Sequence, residues 1–257
     1  HIGVWTNGVS VFNAEDGMSY QGQGAWNQNA LYFEGGSFDN CLGHPAPNGE
    51  YHHHVNPTCL YDDSDDQNHS PIIGYAFDNF PIYGAYGYTN VNGTGAIKRM
   101  ESSYQEKNMS NRNNGPSLNQ YPLGAYIEDF EYVSGSGDLD EYNGRYCVTP
   151  EYPNGIYTYF VTIDANLDPV YPHTPGPYYY GIAQGSGNLG PQSGHHTIPG
   201  NCTPFTVSTS ITDEDYGIKS NLLHIVDVLG RNTERLPNTP IFYIYEDGTV
   251  EKRIVIE

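Results

Sequence analysis

The chain has 257 residues, enough to bury a substantial core in one large domain or two smaller ones. Lysine and arginine total 10 against 30 aspartates and glutamates, and the formal net charge of -20 argues against nucleic acid and anionic membrane surfaces as partners. No apolar run reaches the roughly 18 residues of a membrane-spanning helix, and 24 tyrosines, 30 glycines and four cysteines suit an extracellular β-rich protein better than a cytosolic enzyme.

Residues 1–40 alternate apolar and polar positions (Ile2 and Val4; Val9 and Val11) in short runs broken by Asn7-Gly8 and Asp16-Gly17, the pattern of a hairpin. The chain begins inside the alternating segment IGVWTNGVSVFN with no signal peptide ahead of it, so a processed or truncated start is expected. A first-residue histidine offers copper an amine and an imidazole, but processing within a strand is an equally simple origin for His1.

The stretch from Cys41 to Tyr86 organises the rest. It holds five of the ten histidines (His44, His52, His53, His54, His69), two cysteines and the densest acidic run, Asp62-Asp63-Ser64-Asp65-Asp66. Side chains alternate faces along a strand, so His52 and His54 share one face while Tyr51 and His53 share the other. Asn48-Gly49 just before them is a tight-turn signal that fixes where the strand begins. Four cysteines allow three connectivities; Cys41 with Cys59 and Cys147 with Cys202 are preferred, because the first bridge would clamp the histidine loop. No zinc-finger spacing of Cys and His occurs, so the cysteines read as structural.

Further on, Lys98 to Asn108 reads as a short surface helix or loop, and NRNNGPSLNQ after it as a loop. Pro47-Asn48-Gly49 is echoed by Pro153-Asn154-Gly155, each feeding a strand with tyrosine near its start. Neighbouring strands would bring Tyr157 and Tyr159 close to His52 and His54; two unrelated hairpins are the alternative. Residues 163–181 are rich in proline and tyrosine and read as a loop with exposed rings, and residues 183–204 have the Gly, Ser and Gln content of a linker. His195 and His196 fall there by chance. From about Phe205 the texture changes to a small β domain, with IFYIY and EKRIVIE as two strands around Asp247-Gly248. The expected architecture is therefore all-β: an antiparallel sandwich or distorted barrel with long loops over 1–182, a linker over 183–204, and a small β-sandwich-like domain over 205–257.

The segments GHPAPNGEYHHH (43–54), HSPIIGYAFDNFPIYGAYGY (69–88) and DLDEYNGRYCVTPEYPNGIYTYFVT (138–162) resemble the YHYH family of secreted bacterial proteins, with His53 standing where the family usually has its second tyrosine. The resemblance covers about the first 180 residues and implies secretion, but no settled activity. Val226-Asp227-Val228-Leu229-Gly230-Arg231 and Tyr245-Glu246-Asp247-Gly248-Thr249-Val250 resemble the C-terminal sorting domain of type IX secretion cargo from Bacteroidetes. That resemblance implies the type IX machinery as a partner and an extracellular or outer cell-surface location.

Metal binding is the sharpest chemical reading. His52 and His54 are the leading ligands, with His44 eight residues upstream across the turn and His69 beyond the clamped loop. Three or four imidazoles without a thiolate suit a transition metal such as copper, zinc or iron. Asp78, in AFDNFPIYG, is the candidate catalytic carboxylate: it could complete the shell, orient an imidazole or act as a general base. The acidic run offers oxygen ligands for calcium but lacks the glycine and closing glutamate of an EF-hand, and a solvated loop explains it as well. No nucleophile elbow, Walker loop or dinucleotide fingerprint occurs. Two functions follow: a secreted metalloprotein, hydrolytic or redox if it is an enzyme, acting on a polysaccharide or small molecule; or a non-catalytic module whose tyrosines, Tyr178 to Tyr180 and those of FPIYGAYGY, stack on an extracellular polysaccharide.

Overall fold

The computed structural model describes residues 1–183, 222–226, 232–233, 240–245 and 250–254. The chain divides into two compact units, His1–His196 and Thr197–Glu257. Strands dominate both. In the first unit they are β1 (Gly3–Trp5), β2 (Ser10–Val11), β3 (Glu15–Ser19) and β4 (Asn27–Asn29), then a single helical turn α1 (Ala30–Glu34). There follow β5 (His44–Pro45), β6 (Tyr51–His53), β7 (Ile72–Ala76), β8 (Pro81–Tyr83), β9 (Tyr86–Tyr88), β10 (Ile97–Arg99), β11 (Tyr104–Glu106), β12 (Phe130–Tyr132), β13 (Gly144–Cys147) and β14 (Ile156–Phe160). The second unit contributes β15 (Leu222–Val226), β16 (Pro240–Tyr245) and β17 (Val250–Ile254), an antiparallel three-stranded sheet in that order. The pairing of β16 with β17 is the expected C-terminal strand pair. Its Asp247-Gly248 turn, residues 227–231, the two histidines at 195 and 196, and Cys202 lie outside the described residues.

The main sheet has eight strands in the order β13-β14-β8-β7-β1-β2-β6-β5. It is all-β and mostly antiparallel, and it stays open, so of the two expected architectures the barrel is not formed. Two parallel pairs, β2 with β6 and β8 with β14, interrupt the antiparallel pattern. The predicted opening hairpin is present, pairing Gly3 with Val11 and Val4 with Ser10. Both Pro-Asn-Gly segments are hairpin turns, with Gly49 and Gly155 at φ 87° and 83°, where a side chain would be strained. They sit at opposite edges of the sheet: the first joins β5 to β6, the second β13 to β14. Tyr157 and Tyr159 are therefore five strands from β6 rather than beside it, and their hydroxyls go instead to Asp140 and Asp78.

The core lies on both faces of the sheet, as strand alternation requires. Ile82 and Tyr159 point into one cluster with Trp5, Val11, Ile73 and Val161, while the adjacent Tyr83 and Phe160 point into another with Met100, Leu139 and Cys147. Lys98 to Asn108, expected as helix or loop, instead carries β10 and β11, which pair with β9 and β12. Cross-strand pairing there overrides the polar local sequence. The long loop after β11 is fastened by Arg112, which is fully buried against Asp129 at 2.7 Å and also donates to the carbonyls of Pro116, Tyr121 and Pro122.

Cys41 and Cys59 form the expected disulfide. Cys147 does not pair: it is a free thiol within the second cluster, and burial pushes its pKa up. The bridge closes an 18-residue separation around β5 and β6. On the chain-entropy argument, replacing both cysteines with serine should cost about 3 kcal/mol of unfolding free energy. Urea titration of the double variant checks this, and an unchanged midpoint would show that the loop is held by its other contacts.

Candidate metal centre

The first Pro-Asn-Gly turn sets the register that builds the site. Ala46 and Glu50 close the turn by a backbone hydrogen bond of 2.8 Å, which places His44 directly opposite His52 across β5 and β6. His54 is two residues further, on the same face as His52. The fourth member comes from α1, whose first turn is capped by Asn29 accepting from the Leu31 amide at 3.1 Å. The Asn29 side chain also donates to the Gly124 carbonyl, and the Ala30 amide to the Ala14 carbonyl, so α1 is tied on two sides and presents Glu34 at its last residue.

These four side chains converge. His52 Nε2 lies 3.0 Å from His44 Nε2 and 2.9 Å from His54 Nε2. Glu34 Oε2 lies 3.5 Å from the first of those outer nitrogens and 3.3 Å from the second. All four donor atoms fall within 4.8 Å of one another, the one such group among the described residues. The three imidazoles are buried, at 5%, 3% and 2% exposure for His44, His52 and His54, while Glu34 keeps partial access to solvent.

The other ring nitrogens fix the tautomers. His52 Nδ1 meets the Glu50 carbonyl at 3.1 Å and His54 Nδ1 the Asn13 carbonyl at 2.6 Å. A carbonyl only accepts, so each Nδ1 carries the hydrogen. Ser37 Oγ donates to the Glu34 carbonyl at 2.7 Å, leaving a lone pair for His44 Nδ1–H at 2.8 Å. Every neutral imidazole of the trio therefore turns a bare Nε2 lone pair toward the centre. No hydrogen is available to bridge nitrogens 3 Å apart, and Glu34 Oε2 is likewise buried without a hydrogen-bond donor. Four lone-pair donors facing one another need a cation between them. A metal with bonds of about 2.0–2.1 Å would hold its ligands roughly 2.9–3.4 Å apart, depending on the angle; the His52 separations from His44 and His54 and the Glu34 separation from His54 fall at that spacing, and Glu34 to His44 lies just beyond it. The outward Nδ1–H bonds are those that orient metal-bound imidazoles.

Aromatic rings wall the site. Phe12 stacks on His52 at 4.0 Å and meets His54 edge-on at 5.4 Å, and Phe38 packs against His44 at 5.0 Å. Burial lowers the pKa of His44, and lowers that of His52 to about 4, which keeps both neutral and ready to coordinate at neutral pH. Burial alone would raise the Glu34 carboxyl, but the three neighbouring imidazoles, His54 foremost, outweigh it and leave it below its ordinary value. Nearby Asp16 is raised to about 6, mainly by burial, with the Glu34 charge adding to it.

The other expected residues lie elsewhere. His69 is not brought to the cluster: its Nδ1 meets the Ser70 carbonyl at 2.8 Å and its ring packs among Tyr83, Tyr88 and Phe160. Asp78 follows β7, three strands from β6 and on the order of 15 Å away at ordinary strand spacing. It accepts from the Tyr159 hydroxyl at 2.6 Å and the Gly181 amide at 2.9 Å, fastening residues 180–181 to the sheet. His53 is not at the surface: it is 3% exposed between Trp5 and Tyr51, and burial lowers its pKa to about 4. The carboxylates of the acidic run accept from nearby Asn56, Ser64, Gln67 and Asn68 and do not converge on a calcium-sized space. In FPIYGAYGY, Tyr83 and Tyr86 are core at 0% and 5% exposure, while Tyr178 and Tyr180 are exposed. His1 bonds Ser10 and Glu50, outside the cluster. Glu34 is the member of the cluster that sequence reading missed; its one signal is that it is the single carboxylate between Asp16 and Asp39.

The profile of the family described as YHYH protein matches residues 1–171. No curated protein and no solved structure shows a significant match.

In metal-free protein the buried imidazoles of His52, His53 and His173 sit at about 4, 4 and 3, against 6.5 when unfolded. The unfolded chain then binds more protons below pH 6.5, so stability should be level above that pH and fall from there toward about pH 4. Asp16, raised to about 6, and the raised carboxyls of Glu15 and Asp140 oppose this, while His44 and His69, also lowered by burial, add to it and leave five imidazoles against three carboxyls. Urea midpoints of chelated protein between roughly pH 7 and pH 4.5 check the sign; a midpoint that rises on acidification contradicts it.

Proposed function

The chain belongs to the YHYH protein family, and we propose that it is an extracellular protein that binds one transition metal ion through His44, His52, His54 and Glu34. The observation that supports this reading is the convergence of three tautomer-fixed Nε2 lone pairs and one unsatisfied carboxylate oxygen. Borderline imidazole nitrogens dominate, which favours copper, zinc or iron over calcium or magnesium. Such an ion supplies Lewis acidity or, if copper or iron, redox chemistry. The chain's own contribution is a rigid imidazole floor walled by Phe12 and Phe38, with Glu34 on the side that water and a small substrate reach.

The reading leaves Asp78 and His69 outside the coordination sphere. Asp78 keeps a claim to proton transfer only at its own position, where Oδ1 is buried without a partner. Extracellular placement rests on the family resemblance and the disulfide. No helix among the described residues is long and apolar enough to cross a membrane. The sorting role of the C-terminal unit rests on the motifs at 226–231 and 245–250, and export of a reporter fused to residues 205–257 tests it.

Untagged protein isolated from its host should contain close to one transition metal ion per chain by elemental analysis. The His52→Ala, His54→Ala double variant should lose it, and Glu34→Gln should weaken retention about 10–100-fold. His69→Ala should keep full metal content. Equal metal in the wild type and the double variant would remove the site.

A further inference from the structure

A second site lies in the same unit, in a cleft of about 510 Å³ lined by Tyr32, Tyr104, Glu106, Phe130, Tyr171 and His173, among others. That volume is in the range of small-molecule sites. Its walls are aromatic: Phe130 and Tyr171 stack face to face at 4.1 Å, Tyr104 meets Tyr171 edge-on at 5.3 Å, and Tyr32 is 47% exposed on α1. Glu106 supplies the one carboxylate. It lies against Gly124, where a Cβ would come within 2.8 Å of Glu106 Oε1, so the glycine makes room for it.

His173 is the second, independent observation. It is 1% exposed, neither ring nitrogen makes a well-aligned hydrogen bond although the Val170 carbonyl lies near the ring, and its backbone sits at φ 69°, a left-handed conformation rare for residues with a side chain. A neutral imidazole offers one donor and one acceptor, and a buried pair left unmet is costly. Both ring nitrogens are enclosed, so a hydroxyl or water at the base of the cleft answers them with a small shift of the ring toward it. A quaternary ammonium group, which aromatic rings and a carboxylate would also attract, answers neither. The Glu106 carboxylate and the net charge of -20 disfavour anionic ligands.

We propose that this cleft binds a neutral sugar ring, with its apolar face on Tyr32, adjacent hydroxyls on Glu106 and one hydroxyl directed toward His173. The assignment is independent of the metal reading, although α1 links the two places by carrying Tyr32 to the cleft and Glu34 to the histidines.

The test uses the full chain and saturation-transfer NMR with methyl glucoside, galactoside, mannoside and xyloside and with cellobiose, beside glucuronate and choline. At least one neutral sugar should bind, with an affinity near millimolar for a single ring. Tyr32→Ala and Glu106→Gln, both on exposed side chains, should each weaken it about tenfold or more; Tyr32→Phe and the distant control Tyr146→Ala should retain it. Binding should survive chelation and the His52→Ala, His54→Ala double variant, so failure of the metal site and failure of the cleft are read separately. The proposal is overturned if no neutral sugar binds, if binding persists in the Tyr32→Ala, Glu106→Gln double variant, or if choline is the ligand those substitutions abolish.

Discussion

Everything at the histidine–glutamate cluster depends on one register: His44 paired with His52 across a turn whose left-handed residue is Gly49. A one-residue slip in β5 would turn His44 to the opposite face and put Pro45 opposite His52. The turn holds the pair, the disulfide encloses the segment, and β6 is anchored on its other side by parallel pairing of His52 with Ser10 and His53 with Val11. Two nitrogens 3 Å apart with no hydrogen between them do not attract. The surrounding sheet must therefore hold them there, and the outward Nδ1 bonds to Glu50, Asn13 and Ser37 show how each ring is held.

The main sheet reads nearly the same from either edge. Each edge is a Pro-Asn-Gly hairpin joined in parallel to an inner hairpin, and the two inner hairpins meet at β1 and β7. The edge hairpins have diverged in burden. At one, the inner strand carries His52 toward its partners; at the other, Thr158 and Tyr159 bond the Pro81 carbonyl and the Asp78 carboxylate, and the strand is core. An edge suits a metal site because one side of the strand is free of further sheet, which leaves room for α1 and the Phe38 loop to close over it.

Much of the site was legible in the sequence because it is local. Alternation puts His52 and His54 on one face without knowledge of the fold, and the Pro-Asn-Gly turn brings in His44 across a hairpin. Glu34 was not legible, since its arrival depends on α1 being fastened by Asn29 to Gly124 and by Ala30 to Ala14, contacts that no spacing near the histidines announces. His69 was drawn in by proximity in sequence, but the chain between Cys59 and Ser70 carries it toward Tyr83 and Phe160. The same limit accounts for the echo. Two similar turns were read correctly as hairpins, yet their places in the sheet depend on the parallel pairings, which are long-range and leave no periodic trace. The polar segment around Lys98 was misread because cross-strand partners, not local propensity, make it strand.

Buried histidines separate into two kinds here, and the distinction bears on function. His69 gives one nitrogen to a carbonyl within a nest of rings, and its Nε2, like both ring nitrogens of His53, lies buried among apolar neighbours rather than facing another donor. His44, His52 and His54 each satisfy one nitrogen and leave the other facing its neighbours, while His173 satisfies neither within the protein. Such arrangements cost stability unless something completes them. The chemistry of completion differs between the two places. Three acceptors and a carboxylate ask for a cation, whereas a lone neutral imidazole among aromatic rings asks for a group that both gives and takes a hydrogen bond. A single imidazole type thus specifies an ion in one place and a hydroxyl in the other, and what decides between them is how many lone pairs the backbone brings to one point.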